Sequence, residues 1–163
     1  YRLPEAQLDR FMLKIVVKYP EMEDERSMLD QRLSRSQVLS KAVISAGELR
    51  AIQDVTRQVD IDPKIRDYIL RLVRASRIMD REEQVNMSRW IEYGASPRAS
   101  IFFVEGTQAL ALLNSREYVL PEDVKQIAKP ILRHRLVLTY QAEAEGITTD
   151  DVIDQLLENV PIS

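Results

Sequence analysis

Residues 97 to 115 constrain the fold more than any other part of this 163-residue chain. Apolar side chains recur there on nearly every side of a 3.6-residue helical period, among them Phe102, Phe103 and Leu110. A helix that is apolar all round is typical of the centre of a bundle. Only four glycines interrupt the chain. The pattern therefore predicts a mainly α protein, a helical bundle around this central helix.

Five further stretches have the spacing of amphipathic helices, each with one apolar stripe. They comprise residues 21–33, 48–59, 63–79, 121–133 and 149–160. In the fourth of them, Pro130 is expected to bend or end the helix, because proline cannot donate the backbone hydrogen bond. After residue 20 the sequence predicts helices alone.

The beginning of the chain has a different pattern. Residues 4–10 predict a short helix, and residues 11–19 form a β-branched, apolar run of strand length that Pro20 ends. A lone strand cannot pair its own edges, so we expect its partners to lie outside this chain. We therefore interpret residues 1–20 as the end of an α/β core and residues 21–163 as a helical domain. Because the first residue is Tyr1, we expect the chain to be part of a longer protein.

Composition narrows the classes of function. The 23 basic and 26 acidic residues give a net charge of −3, which disfavours a nucleic-acid partner. The absence of cysteine excludes disulfides and thiolate metal sites, and a single histidine disfavours a zinc site. No apolar run approaches the roughly 20 residues that span a bilayer. We expect a cytoplasmic protein without a membrane span.

Ser96-Pro97-Arg98 is a strong helix start, with serine at the N-cap and proline at the first helical position. It places Arg98 at the positive end of the helix dipole, which costs roughly 0.3–1 kcal/mol unless an anion is nearby. An arginine at a helix N-terminus is a phosphate-binding arrangement. The alternatives are that Arg98 turns into solvent or pairs with a carboxylate.

The other basic residues show no such anomaly. Arg10 ends a short helix, where a cation is favourable, and the adjacent Asp9 could hold it. From the residues alone Arg10 is an ordinary surface arginine. Arg133, His134 and Arg135 are expected to cap the end of a helix in the same way.

Four motifs nevertheless occur together in an order and spacing that resemble MoxR-type AAA+ ATPases. They are Leu-Pro-Glu-Ala-Gln-Leu-Asp-Arg-Phe (3–11), Gly-Ala-Ser-Pro-Arg-Ala-Ser (94–100), Tyr-Val-Leu-Pro-Glu-Asp-Val (118–124) and Leu-Arg-His-Arg-Leu (132–136). The resemblance covers essentially the whole chain and implies an AAA+ lid bundle preceded by the last helix and strand of the nucleotide-binding core. It implies that Arg10 is the arginine finger that reaches a neighbouring subunit's ATP and that Arg98 is the sensor 2 arginine. Tyr19 and Pro20 match the hinge beside the adenine pocket.

The resemblance also implies ATP and Mg²⁺ as cofactors of the full-length protein, a homo-oligomeric ring expected to be a hexamer, and client proteins. Clients with von Willebrand factor type A domains, and chaperone-like remodelling or maturation of partners, follow from it as well. No Gly-x-x-x-x-Gly-Lys-Ser/Thr phosphate loop occurs in this sequence. We therefore expect the segment alone to be inactive and to bind no cofactor tightly.

A different class of function stays open. In a non-enzymatic helical interaction module, the apolar stripes would form a partner groove and the arginines would be surface charges. That alternative predicts a stable monomer with a defined protein partner and no dependence on nucleotide. A nucleic-acid-binding bundle is a third class, which the net charge of −3 disfavours.

Overall fold

The computed structural model describes residues 3–34, 41–77 and 89–162. Within these ranges the chain forms eight helices and two short strands. The elements are α1 (Glu5–Leu8), α2 (Met22–Leu33), α3 (Ala46–Thr56), α4 (Pro63–Ala75), β1 (Ile91–Tyr93), α5 (Pro97–Leu113), α6 (Pro121–Leu132), β2 (Val137–Leu138), α7 (Tyr140–Ala144) and α8 (Thr149–Asn159). The predicted mainly helical fold class is confirmed, and the six long helices begin and end within a few residues of their predicted positions.

The core lies around α5, which packs against α3, α4 and α6, while α8 closes the other side of α4 and α6. Phe103 and Ala99 of α5 are completely buried. Ile101 and Leu113, at 58% and 82% exposure, face outward. The helix is therefore central, as predicted, but buried on one side and not all round. Helix α2 contains no buried residue.

Two parts of the fold differ from the sequence prediction. The strands β1 and β2 pair antiparallel, Ile91 opposite Leu138, although helices alone were predicted after residue 20. The predicted strand at residues 11–19 has no regular secondary structure here. A strand needs a neighbour to complete its ladder, and none of the described residues forms a β-ladder with this stretch. Its backbone bonds the lid only through single contacts, such as the Lys14 amide donating to the Pro130 carbonyl at 2.8 Å.

Polar side chains fix the starts of several helices. Ser45 and Glu48 form a capping box at α3, and Thr148 and Asp151 form another at α8. At α4 the Asp62 carboxylate accepts from the Lys64 amide at 2.8 Å. Each cap satisfies backbone amides that the helix itself leaves without an acceptor.

A buried ion pair joins the start of α6 to the turn before it. Arg116 donates two hydrogen bonds to the Asp123 carboxylate, at 2.7 and 2.6 Å. The same carboxylate accepts from the Leu120 amide at 2.8 Å. Burial alone would raise the pKa of Asp123, but these hydrogen bonds hold the pKa below its usual value. Asp123 is therefore charged and fully paired at neutral pH.

Gly94 permits the close approach of α4 to the loop that leads into α5. A Cβ atom on Gly94 would lie 2.1 Å from the Ser76 carbonyl oxygen. Next to it, the Ala95 amide donates to the Ser76 hydroxyl at 3.0 Å, and Arg77 Nε donates to the Ala95 carbonyl at 2.9 Å. This contact sets where α5 begins.

We expect Gly94→Ala to lower the free energy of unfolding by about 2–3 kcal/mol, because the added methyl group meets backbone atoms that cannot rotate away. Urea denaturation of the chain measures the effect. Gly47→Ala in α3 is the matched control, since its Cβ would contact only the Ser45 hydroxyl, at 3.9 Å. The control should be neutral or stabilising by up to about 1 kcal/mol. Equal stability of the two variants would contradict this packing.

Candidate nucleotide-sensing site

The N-terminus of α5 has the geometry that its sequence predicts. The Ser96 hydroxyl accepts from the Arg98 amide at 3.2 Å, and Pro97 occupies the first helical turn. Arg98 therefore lies in that turn, with its side chain 48% exposed. Its guanidinium is accessible to an anion from solvent.

Asp9, at the end of α1, connects the two predicted arginine motifs. Its carboxylate accepts from the Ser96 hydroxyl at 2.9 Å, from Arg98 Nη1 at 3.0 Å and from Arg135 Nε at 3.0 Å. The carboxylate that sequence reasoning considered as a partner for Arg10 thus bonds Arg98 instead. Pairing with a carboxylate was one of the alternatives for Arg98, and the structure shows this pairing.

Arg135 is the most buried charged group of the site, with its side chain only 1% exposed. Its second terminal nitrogen donates to the backbone carbonyls of Asp9 at 2.9 Å and Phe11 at 2.5 Å. The first donates to the Met12 carbonyl at 3.2 Å and to the Ile131 carbonyl in α6. Arg135 therefore caps α6, as predicted, and also binds the segment that contains Arg10. Burial lowers the pKa of Arg135, and the attraction of the Asp9 carboxylate opposes this decrease.

The two neighbours of Arg135 strengthen the same contact. The His134 ring nitrogen Nε2 lies 2.9 Å from the Phe11 carbonyl oxygen. Arg133 forms an ion pair with Asp150 at 2.8 Å and also donates to the Lys14 carbonyl at 3.3 Å. Burial is the main cause that lowers the pKa of His134. The imidazole is consequently neutral at neutral pH.

The remaining predicted site residues are exposed. Arg10 follows Asp9 directly and has no ion pair among residues 3–34, 41–77 and 89–162. It borders a shallow depression with Leu3 and Phe11. Tyr19 is 95% exposed, and Pro20 is exposed beside it. The structure thus brings the Arg10 segment and Arg98 together through Asp9, and it does not bring Tyr19 or Pro20 to them.

Sequence reasoning missed Asp9 and Arg135 as members of this site. The Leu-Arg-His-Arg-Leu motif was a signal, since three consecutive basic residues exceed what one helix end needs. Their acceptors lie about 120 positions earlier in the chain, so spacing alone could not identify them. No cluster of metal-ligating side chains occurs in the described part of the chain. No helix in those residues is long and apolar enough to cross a membrane.

Comparison with known proteins gives the class of this fold. Residues 83–156 match the AAA lid domain family. A solved structure from Cytophaga hutchinsonii, provisionally assigned as an ATPase, superposes with a TM-score of 0.90 at 38% identity. That match covers 100% of this chain and 50% of the other. The chain therefore carries an AAA lid domain, in the helical architecture that its sequence predicted.

Curated relatives indicate which kind of AAA+ protein the chain resembles. The chain is 38% identical over 99% of its length to Chaperone MoxR1 of Mycobacterium tuberculosis and spans 43% of that protein. It is 32% identical over 99% of its length to YeaC of Bacillus subtilis, an uncharacterized protein, and spans 48% of it. The chain thus resembles MoxR-type AAA+ proteins and spans about half the length of the curated relatives that it matches.

The stability of the chain should decrease as the pH falls from 7.5 to 5.5, partly because of His134. A histidine whose pKa is lowered by folding takes up its proton more readily when unfolded, so its contribution is complete above the ordinary pKa of 6.5 and is lost below it. His134→Gln keeps a side-chain donor but does not titrate. Free energies of unfolding at several pH values should therefore show a smaller decrease in this variant. Equal decreases would contradict a half-buried, neutral His134.

Proposed function

We propose that this chain is the nucleotide-sensing lid segment of a MoxR-like AAA+ ATPase. In the intact protein it would couple ATP binding and hydrolysis to chaperone-like remodelling or maturation of partner proteins. The observation that carries this proposal is the half-exposed Arg98 guanidinium, which projects from the capped N-terminus of α5 next to the Arg10 segment. The relative named Chaperone MoxR1 supports the chaperone-like role.

Arg98 is suited to a phosphate group. The first turn of α5 presents the positive end of the helix dipole, which attracts anions. Asp9 occupies one nitrogen of the guanidinium. An incoming phosphate can bind the exposed remainder, or displace Asp9 and bind both terminal nitrogens in a bidentate manner. We assign Arg98 the role of sensor 2.

Arg10 is suited to act on a nucleotide that another subunit binds. Its side chain is exposed and has no ion pair in the described residues, so its guanidinium is available to a neighbour. Arginines supplied in trans raise nucleotide hydrolysis about 10³–10⁵-fold in related enzymes, because they stabilise charge on the transferred phosphoryl group. We assign Arg10 the role of arginine finger in a homo-oligomeric ring, which we expect to be a hexamer.

The Arg10 segment and the lid are proposed to move as one unit. Lys14 bonds Pro130, and Asp9 bonds Arg98 and Arg135, so residues 9–14 are attached to the helices of the lid. Tyr19 and Pro20 follow the last of these contacts. These contacts hold Arg10 and Arg98 on one body, and a hinge motion at Tyr19 and Pro20, which lie between the two arginines in the chain, would require the contacts to open. The domain boundary at residue 20 stays a prediction.

The other parts of the nucleotide site must come from outside this sequence, which contains no phosphate loop. ATP and Mg²⁺ are therefore proposed as cofactors of the intact protein, with the Mg²⁺ ligands outside the chain. Client proteins, including those with von Willebrand factor type A domains, and a cytoplasmic location complete the proposal.

In the intact protein we expect Arg10→Ala and Arg98→Ala each to lower ATP turnover at least tenfold. Each substitution removes a guanidinium whose positive charge would stabilise the negative charge on the transferred phosphoryl group. The fold should persist, since Arg10 is exposed and Asp9 keeps Arg135 when Arg98 is removed. Steady-state ATPase assays and circular dichroism measure both effects.

Arg57→Ala is the control, because the ion pair of Arg57 with Asp54 on α3 is exposed to solvent. It should retain normal turnover. Normal turnover in Arg10→Ala or Arg98→Ala would remove the corresponding role. An intact wild-type protein without ATP turnover would instead favour the non-enzymatic interaction module, for which exposed Leu49 and Ile52 on α3 provide an apolar surface.

A further inference from the structure

We propose that Arg135 is a positioning residue for ATP hydrolysis: it fixes the backbone on both sides of Arg10 to the lid and so determines where the Arg10 guanidinium is presented. This inference rests on the proposed function of Arg10. It assigns a role to a side chain that never reaches the nucleotide itself.

The hydrogen bonds of Arg135 bracket Arg10. The carbonyl of Asp9 lies on one side of Arg10, the carbonyls of Phe11 and Met12 lie on the other, and all three accept from the Arg135 guanidinium. The Asp9 side chain accepts from Nε as well, at 3.0 Å. Arg10 itself makes none of these bonds. Its backbone is thus held while its side chain is left exposed.

The position of the guanidinium is itself fixed by the lid. It donates to the Ile131 carbonyl at the end of α6. It also lies 4.9 Å from the centroid of the Phe102 ring in α5, a favourable contact between a cation and an aromatic face. Arg135 therefore joins α5 and α6 to the Arg10 segment.

Only arginine has the donors that this arrangement uses. Its planar guanidinium carries five N–H groups in a fixed fork, and here all three nitrogens have acceptors. Lysine would keep the positive charge but could satisfy only some of these acceptors. Methionine would leave the Asp9 carboxylate without its most buried partner.

Subunit mixing separates positioning of Arg10 from general damage. A subunit that lacks a working arginine finger still has its own ATP site, whereas a subunit that lacks the phosphate-loop lysine still supplies its finger. When full-length subunits of these two variants are mixed one to one, the rings should recover about one quarter of wild-type turnover. This is the statistical share of interfaces that have both a complete ATP site and a working arginine finger. A subunit that is damaged throughout cannot recover in this way.

We would measure ATP turnover of Arg135→Met, Arg135→Lys and Arg10→Ala, each alone and each mixed with the phosphate-loop lysine variant of the full-length protein. Arg135→Met alone should lose at least tenfold in kcat, and mixing should recover it as it recovers Arg10→Ala. Arg135→Lys keeps the charge and serves in the same assay if Arg135→Met does not assemble. Its kcat should fall less than that of Arg135→Met. Arg116→Met, which breaks the ion pair with Asp123 at the start of α6, is the control for lost stability and should keep full turnover alone.

The proposal is supported if ATP turnover recovers on mixing with the phosphate-loop lysine variant both for the Arg135 variants and for Arg10→Ala. Recovery of Arg10→Ala without recovery of the Arg135 variants would overturn it and leave the arginine finger in place. Full turnover in both Arg135 variants alone would also overturn it. Failure of Arg10→Ala to recover would instead overturn the proposed function of Arg10, on which the inference depends.

Discussion

The contact between the Asp9 carboxylate and the buried Arg135 guanidinium is the interaction on which the arrangement of this molecule depends. It joins the end of α1 to the end of α6. A buried ion pair adds little net stability, because desolvating both charges offsets most of their attraction. Its main effect is geometric: hydrogen bonds to several backbone carbonyls permit a single placement of residues 9–12 on the lid. Losing one partner would leave the other charge buried and unpaired.

The charge balance of this cluster favours an anionic ligand. A single carboxylate, Asp9, serves two arginines, Arg98 and Arg135, and Arg10 adds a third cation nearby. The buried arginine satisfies most of its donors on backbone carbonyls, which carry no net charge. Positive charge is therefore left over at the exposed side, where α5 also presents the positive end of its dipole. A phosphate group would complete the balance.

The sequence predicted the helices well, because their apolar spacing and capping residues are local signals. Ser96 and Pro97 predicted the start of α5 and the position of Arg98 in its first turn. The roles of Asp9 and Arg135 could not be predicted, since they depend on contacts across more than 120 positions. Likewise, β1 and β2 are two or three residues long, too short for a period of two to be recognised. Residues 11–19 have the composition of a strand, but composition cannot supply a pairing partner.

The central proposal is that Arg10 and Arg98 both bind phosphate groups of ATP, Arg10 those of a neighbouring subunit's nucleotide. A cryo-EM structure of the intact assembly with a non-hydrolysable ATP analogue would test it most directly. We expect each guanidinium group within about 3 Å of nucleotide phosphate oxygens, with Arg10 at a nucleotide that the neighbouring subunit binds and with the contact between Asp9 and Arg135 preserved. A bound nucleotide whose phosphates contact neither arginine would contradict the account.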